Sequence, residues 1–437
     1  MENTNVYIET YGCQMNFSDT EIVSSVLVNN GYSMIDNPEN ADVIFLNTCS
    51  IRDNAEKKIY ERLMHLKQYK KKNKKLVVGV LGCMAERLRG RLLDEREIVG
   101  IVAGPDEYRK VPDLIETALH GTRGIAVQLS RVETYDDIPP LRTEGIAAWV
   151  SIMRGCDNFC TYCVVPYTRG RERSRPAKSI VKEAIGLAEH GFKEITLLGQ
   201  NVNSFYDEET KENFSALLKS VAEAVPEMRI RFMTSHPKDI SDELIETIAS
   251  HKNICNFVHL PVQSGSNRVL DKMSRSYTVE HYLERIAKIK EIIPGVSLST
   301  DIIAGFPSET LEEHQMTMEL MAKVQYDGAF MFKYSPRENT KAFKMEDDVP
   351  EDEKLRRLNE IIQQQLNISK ELNIKEIGNI HEVLVEGESK KKKEEWQGRS
   401  DSNKVVVFPK ADTTKIGDLV KVRITKSTSG TLYGELI

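Results

Sequence analysis

The sequence predicts an α/β protein in three units: an N-terminal doubly wound parallel-sheet domain over 1–125, a central partial (β/α)6 barrel over 142–372, and a small antiparallel β barrel over 375–437. Three observations carry this. Near-continuous apolar runs alternate with helical stretches through the first two units, the pattern of parallel strands covered on both faces. The polar, proline-marked run Asp136-Asp137-Ile138-Pro139-Pro140 breaks the chain between them. From about 375 onward the pattern changes to short β-rich runs separated by Gly and charged turns. The 437 residues suffice for two to three domains, each burying its own core.

In the first unit, strands are expected at 6–10, 42–48 and 76–81. Ser18 or Asp19 can cap a helix that ends at Gly31, and Asp53 can cap the next before its lysine-rich exit. A cysteine follows each strand: Cys13, Cys49 and Cys83. Ligands bind beyond the carboxyl ends of the strands in an open parallel sheet, so three cysteines distant in sequence converge on one edge. Any one of them alone reads as a small buried hydrophobe. Three together, in the turn-like contexts Tyr11-Gly12-Cys13, Asn47-Thr48-Cys49 and Leu81-Gly82-Cys83, point to a three-cysteine metal cluster.

In the central unit, strands are expected at 147–153, 194–198, 229–233, 257–260, 296–303 and 328–334. Helices fall between them, such as 179–190 closed by Gly191 and 278–292 before Pro294. Six βα units make a partial or full parallel barrel with its function at the C-terminal strand ends. A cysteine loop follows the first strand, and Gly199-Gln200-Asn201-Val202-Asn203 the second. Ser235-His236-Pro237 follows the third, Pro261-Val262-Gln263-Ser264-Gly265-Ser266 the fourth and Ala304-Gly305-Phe306-Pro307 the fifth. Each turn alone is only a loop; together at one barrel mouth their amides, hydroxyls and glycines form a pocket for a small polar cofactor. The third unit shows β-rich runs at 381–386, 405–408, 419–425 and 432–436, which suit a small barrel of the kind that often binds RNA. Basic runs at 70–75 and 390–393 read as solvated loops or as phosphate contacts.

The cysteine loop reads Gly155-Cys156-Asp157-Asn158-Phe159-Cys160-Thr161-Tyr162-Cys163. Three thiolates at this spacing hold an iron–sulfur cubane by three corners and leave its fourth iron open to a ligand, whereas electron-carrying ferredoxins use four cysteines per cubane. A structural zinc site wants four ligands in paired knuckles, and no second such pair lies nearby. The cysteine count of seven is odd, and no apolar N-terminal segment of signal type is present, which disfavours disulfides. Iron–sulfur is favoured over zinc, and Tyr162 is placed to pack against a ligand on the cluster. Composition agrees with a soluble, cytoplasmic chain. It is 40% hydrophobic and 29% charged, with no run near the roughly 18 apolar residues a membrane span needs. A net charge of −6 excludes a protein that coats nucleic acid by bulk charge, leaving local basic patches.

A three-cysteine loop of this spacing on a partial βα barrel resembles the radical S-adenosylmethionine (radical SAM) superfamily. The upstream cysteine trio and a TRAM-like C-terminal barrel narrow the resemblance to the methylthiotransferases, over essentially the whole chain. Tyr11-Gly12-Cys13-Gln14-Met15-Asn16, Asn47-Thr48-Cys49-Ser50-Ile51-Arg52, Gly82-Cys83-Met84-Ala85 and Cys163-Val164-Val165-Pro166-Tyr167-Thr168-Arg169-Gly170 are similar to the MiaB type, which acts on tRNA adenosine. The ribosomal-protein branch carries Gly-Cys-Pro-Lys-Asn at the first motif and the threonylcarbamoyladenosine branch Cys-Lys-Val-Asn; neither occurs there.

The resemblance implies two 4Fe–4S clusters. One, on Cys156, Cys160 and Cys163, would bind and reductively cleave S-adenosylmethionine. The resulting 5′-deoxyadenosyl radical would take hydrogen from C2 of N6-isopentenyl-adenosine 37 in the anticodon loop of tRNA. The other, on Cys13, Cys49 and Cys83, would deliver the methylated sulfur. No side chain is catalytic in this scheme, because an aromatic C–H is too weakly acidic for a side-chain base. Tyr162 is similar to the aromatic that lies beside the adenine in the superfamily. Gln200 and Asn201 occupy the turn that holds the methionine amino group, although Gly199-Gln200-Asn201 replaces the usual Gly-Gly-Glu. Ser235, His236 and Gln263 are candidates for ribose or carboxylate contacts. One of Arg169, Arg171, Arg173 and Arg175 is expected to meet the cofactor carboxylate or an RNA phosphate, the others being surface charges, and Cys255 reads as a core thiol. The expected partners are tRNA and an unidentified electron donor, with no membrane and a monomeric state. The rival readings are methylthiolation of a ribosomal-protein side chain and a metal-stabilised RNA-binding protein without catalysis.

Overall fold

The computed structural model describes residues 4–49, 53–142 and 145–437, without the side chains of 53–55. Ser50, Ile51 and Arg52 of the second cysteine motif lie outside the described residues, as does the capping side chain expected at Asp53.

Strands β1 (Asn5–Thr10), β2 (Ser33–Met34), β3 (Val43–Thr48), β4 (Val77–Gly82), β5 (Val99–Ala103) and β6 (Gly124–Ala126) form one sheet in the order β2-β1-β3-β4-β5-β6. Every pairing is parallel. β3 and β4 are buried at every position, as strands with helices on both faces must be. Ile44, Leu46, Val78 and Val80 point to one layer, against Ile59, Leu63 and Leu66 of helix Asp53–Lys72. Val43, Phe45, Val77 and Leu81 point to the other, against Ile22, Val23 and Leu27 of helix Gln14–Asn29. That helix starts directly after Cys13, earlier than expected. Ser18 and Asp19 are therefore not its cap but buried residues inside it.

The central unit carries β7 (Ala147–Ser151), β8 (Met153–Arg154), β9 (Arg173–Ser174), β10 (Glu194–Leu198), β11 (Arg229–Phe232), β12 (Phe257–His259), β13 (Ser297–Ala304) and β14 (Gly328–Lys333). Two parallel sheets, β11-β10-β7 and β12-β13-β14, are joined by a parallel bridge between Ile230 and Ile254. Together they make a six-stranded partial barrel. The strand expected over 147–153 ends early, because β8 leaves it to pair antiparallel with β9. This two-residue clasp closes the base of the cysteine loop.

The C-terminal unit is a closed barrel of β15 (Ile380–Glu388), β16 (Glu395–Ser400), β17 (Val405–Pro409), β18 (Leu419–Ser427) and β19 (Leu432–Leu436), ordered β15-β16-β17-β19-β18. It is antiparallel except for β17 with β19. Five strands in a ring cannot alternate direction throughout, so one seam must be parallel. The barrel docks on the amino ends of the central strands. Arg229 donates to the carbonyls of Arg399 and Glu382 at 2.8 Å, and Arg231 to those of Asp401 at 2.8 Å and Ser400 at 2.7 Å.

The N-terminal and central units are locked by buried ions. Asp19 accepts from Arg154 and from Arg169, each at 2.7 Å, and from the Tyr108 hydroxyl at 3.2 Å. Asp106 accepts from Arg173 at 2.8 Å. Phe17 meets Trp149 at 5.3 Å between ring centroids across the same boundary. The break at 136–140 is solvent-facing at 136, 137 and 139 but tethered at its start. Tyr135 before it is buried against Tyr108, and Arg109 holds Asp137 at 2.5 Å. No helix among the described residues is long and apolar enough to cross a membrane.

Burial pushes the Asp19 carboxyl up, but Arg154 and Arg169 outweigh it and hold the pKa below the usual aspartate value. A depressed carboxylate contributes stability that is full above its unfolded pKa of about 3.9 and fades as pH falls through the lower folded value. Asp19→Ala strands two buried guanidiniums and should cost about 3–5 kcal/mol. Urea denaturation at neutral pH should show that loss, and the difference from wild type should shrink below about pH 4.

Candidate active site

The cysteine loop is shaped at both ends. Gly155 has φ +79°, and a Cβ there would lie 1.9 Å from the Arg171 carbonyl oxygen, so only glycine lets the chain close on itself. At the far end, Thr161 is pinned to the central helices, its amide to the Met273 carbonyl at 3.0 Å and its hydroxyl to that of Lys272 at 2.8 Å. Each sulfur has a nearby donor. Asn158 Nδ2 lies 3.5 Å from Cys156 Sγ, the Val165 amide 3.5 Å from Cys163 Sγ, and Arg275 Nη1 3.4 Å from Cys160 Sγ. Burial, reinforced by Cys160, pushes the Cys163 thiol up to about 12, and burial raises Cys156 as well. Buried thiols that influence one another's charge are poor thiolates alone and good ones beside a cation.

Of the other three cysteines, Cys13 lies beside Cys49 and within electrostatic reach of Cys83. Cys13 caps helix Gln14–Asn29, Cys49 follows β3, and Cys83 opens helix Cys83–Leu88 after β4. A Cβ on Gly12, at φ +126°, would stand 2.4 Å from Cys49 Cβ, so the first turn lies directly on the second. Hydrogen bonding with Cys49 draws the Cys13 thiol down to about 6 against burial, helped by the charge of Arg169. Among the described residues, no three His, Cys, Asp or Glu side chains close on a single ion.

The strand-end turns hold a set of buried polar atoms without hydrogen-bond partners: Gln200 Oε1, Asn201 Oδ1, both amide atoms of Asn203, Ser235 Oγ, His236 Nε2, Gln263 Oε1 and Tyr334 Oη. They follow β10, β11, β12 and β14, all at the mouth where the cysteine loop lies. An unpartnered buried polar atom costs about 1–3 kcal/mol, so such a concentration marks a place for a polar ligand. Some anchors are made already: Asn201 Nδ2 donates to Asp239 at 2.7 Å, and His236 Nδ1 accepts from the Lys238 amide at 3.3 Å. Burial, then Arg275 and Lys238, lower the His236 pKa to about 2, so the ring is neutral and Nε2 carries the proton. The backbone is strained here as well, with φ of 73° at Thr234 and 72° at Gln263. Tyr162 sits half-buried, edge-on to Phe306 at 6.5 Å.

The arginines after the loop differ from expectation. Arg169 pairs with Asp19, Arg173 with Asp106 and Arg175 with Glu183, all buried; only Arg171 is a surface charge. Their alternation along an irregular segment hid the fact that partners come from other elements. Arg275, 115 positions from Cys160, was not identified in the sequence, where nothing distinguishes it from a surface arginine. Cys255 is a buried thiol pushed up to about 12.

Comparison with known proteins decides the family. Over 437 residues the chain is 55% identical to the tRNA-2-methylthio-N(6)-dimethylallyladenosine synthase of Chloroherpeton thalassium, spanning 100% of this chain and 97% of that one. The chain belongs to this synthase family. A second family member, from Parabacteroides distasonis, is 53% identical over 98% of this chain and 95% of its own. Family profiles match in three places: Uncharacterized protein family UPF0004 over 5–104, the Radical SAM superfamily over 150–321 and the TRAM domain over 375–437. Among solved structures, the radical S-adenosylmethionine methyltransferase TsrM of Kitasatospora setae shares the fold, with a TM-score of 0.58 at 13% identity, covering 75% of this chain and 73% of that one.

The family brings 4Fe–4S clusters and S-adenosylmethionine, and the residues fit them. Two cysteine trios offer thiolate corners, and the unpartnered amides and hydroxyls suit a ligand with amino, carboxylate and ribose groups. Removing a hydrogen bond to a charged group costs about 1.5–3 kcal/mol. Ser235→Ala and Gln263→Ala should each weaken S-adenosylmethionine binding by roughly 10- to 150-fold, measured by equilibrium binding to the reconstituted protein with iron content unchanged.

Proposed function

We propose that the protein methylthiolates C2 of N6-isopentenyl-adenosine at position 37 in the anticodon loop of tRNA. The observation that carries this is the adjacency of the two trios. Helix Cys83–Leu88 packs against helix Val165–Thr168, which begins two residues after Cys163. A sulfur donor and a radical source could then serve one target atom. When bound, the clusters and S-adenosylmethionine supply the radical and the methylated sulfur.

In this reading the protein's own task is to hold and to exclude. Cys156, Cys160 and Cys163 hold one cluster, and Cys13, Cys49 and Cys83 the other. Gln200, Asn201, Ser235, His236 and Gln263 take the polar groups of the cofactor, with Tyr162 beside its adenine. The division at 1–125, 142–372 and 375–437 assigns sulfur donation, radical generation and RNA binding in that order. The target base has a surface to stack on. Phe330 and Phe332, in register with Asp301 and Ile303, share the inner face of the open barrel and are 49% and 38% exposed. A monomer working in the cytoplasm with a separate electron donor completes the reading. The names of the relatives favour tRNA over a ribosomal-protein side chain.

Nucleoside mass spectrometry of tRNA from a strain lacking this gene should show no 2-methylthio adenosine and an accumulation of the isopentenyl precursor. Persistence of the methylthio nucleoside would refute the assignment. Phe330→Ala and Phe332→Ala should each forfeit about 1 kcal/mol or more of base stacking. The expected result is a roughly fivefold or greater rise in KM for tRNA with S-adenosylmethionine binding unaffected.

A further inference from the structure

Three guanidiniums and two carboxylates are buried together where the N-terminal sheet meets the central barrel. The side chains of Arg154, Arg169 and Arg173 are at most 4% exposed, and those of Asp19 and Asp106 at most 1%. The group holds one more positive charge than its own carboxylates can match, and such a charge is costly unless something else answers it. Of the three arginines, Arg173 directs its donors to carbonyls and Asp106, whereas Arg154 keeps Nε and Nη1 buried without hydrogen-bond partners, beside an aromatic ring. Arg173 donates to the carbonyls of Ser130, Glu133 and Arg171 at 2.9–3.0 Å, and Arg154 lies 4.8 Å from the Tyr135 ring centroid.

Arg169 is the one of the three that lies beside the N-terminal cysteines. Nη2 is fixed on Asp19 at 2.7 Å, while Nη1 is buried with no hydrogen-bond partner. The residue follows helix Val165–Thr168, which packs on the helix that Cys83 opens. Its charge acts on both the Cys83 and the Cys13 thiols.

We propose that Arg169 is a positioning residue for the N-terminal cluster, its Nη1 donating a charge-assisted hydrogen bond to the Cys83 thiolate and so raising the reduction potential of that cluster. The inference rests on the reading of Cys13, Cys49 and Cys83 as cluster ligands. A cation and an N–H donor on a coordinating sulfur both stabilise the more negative, reduced state. The other trio already has the counterpart, Arg275 Nη1 at 3.4 Å from Cys160 Sγ. Asp19 supplies the anchor that aims the fork. Because Arg169 stands six residues after Cys163, a contact made by the radical-generating segment sets the electronics of the sulfur-donating site.

The test uses the full chain with Cys156, Cys160 and Cys163 all changed to Ala, reconstituted anaerobically so that only the N-terminal trio can hold iron. About four irons per chain are expected in this parent. In an EPR-monitored redox titration, Arg169→Gln should shift the midpoint potential to a more negative value. Arg169→Lys, which keeps the charge and loses the fork, should shift it less, and Arg171→Gln on the surface should leave it unchanged. An unchanged midpoint in Arg169→Gln overturns the inference. Should that variant fail to retain a cluster, an unchanged midpoint in Arg169→Lys overturns it and a negative shift supports it. A parent that binds no iron overturns the reading of the trio and the inference with it, whereas a parent with four irons and an unmoved midpoint overturns the inference alone.

Discussion

A single carboxylate, Asp19, holds the arrangement on which the site depends. It lies inside the helix that Cys13 caps, and both guanidiniums it accepts from belong to the central unit, one on each side of the cysteine loop. Arg154 belongs to the clasp that closes the loop, and Arg169 to the segment that leaves it. One buried residue thus fixes the first cysteine of one trio relative to the whole of the other. Apolar packing could bring the two units together, but it is non-directional and would tolerate sliding. Ion pairs at 2.7 Å between side chains buried from solvent do not.

Much of the fold was legible because parallel strands buried on both faces leave an unmistakable apolar run. β3, β4 and β10 were read within a residue or so from such runs. One such run, β5 (Val99-Gly100-Ile101-Val102-Ala103), was passed over, and the other strands missed had none. β2 and β6 are two and three residues long, and β16, Glu395-Trp396-Gln397-Gly398-Arg399-Ser400, is polar because small barrels expose one face of each strand. Asp19 was misread for a related reason. Aspartate early in a helical stretch is usually a cap, and only a distant arginine pair makes an interior aspartate tolerable.

The site divides in the same way. Cysteines and strand-end turns are local features, visible as spacing and position. The arginines are not, because what distinguishes Arg169 and Arg275 from a solvated arginine is burial and a partner more than a hundred positions away. Position at the strand ends was the stronger guide for the pocket. The turns after β10, β11 and β12 differ in sequence, yet each leaves polar atoms unsatisfied and two carry strained φ angles. A fold that concentrates such costs at one mouth is suited to a polar ligand there.

The incompleteness of the barrel suits the large substrate of the proposed reading. A closed eight-stranded barrel fills its interior with side chains and admits ligands only at its end. Here six strands leave β14 without a further strand partner among the described residues, and its inner face carries Phe330 and Phe332 in the open. The C-terminal barrel is docked at the amino ends of the strands, opposite the cysteine loop. In the proposed reading, an RNA held there starts from the end of the central barrel opposite the cysteine loop. The open side would offer it a route to the cysteine loop, a distance of about 20 Å for a six-residue strand. Two aromatic rings facing inward along that side are what a base leaving its stack would need on the way.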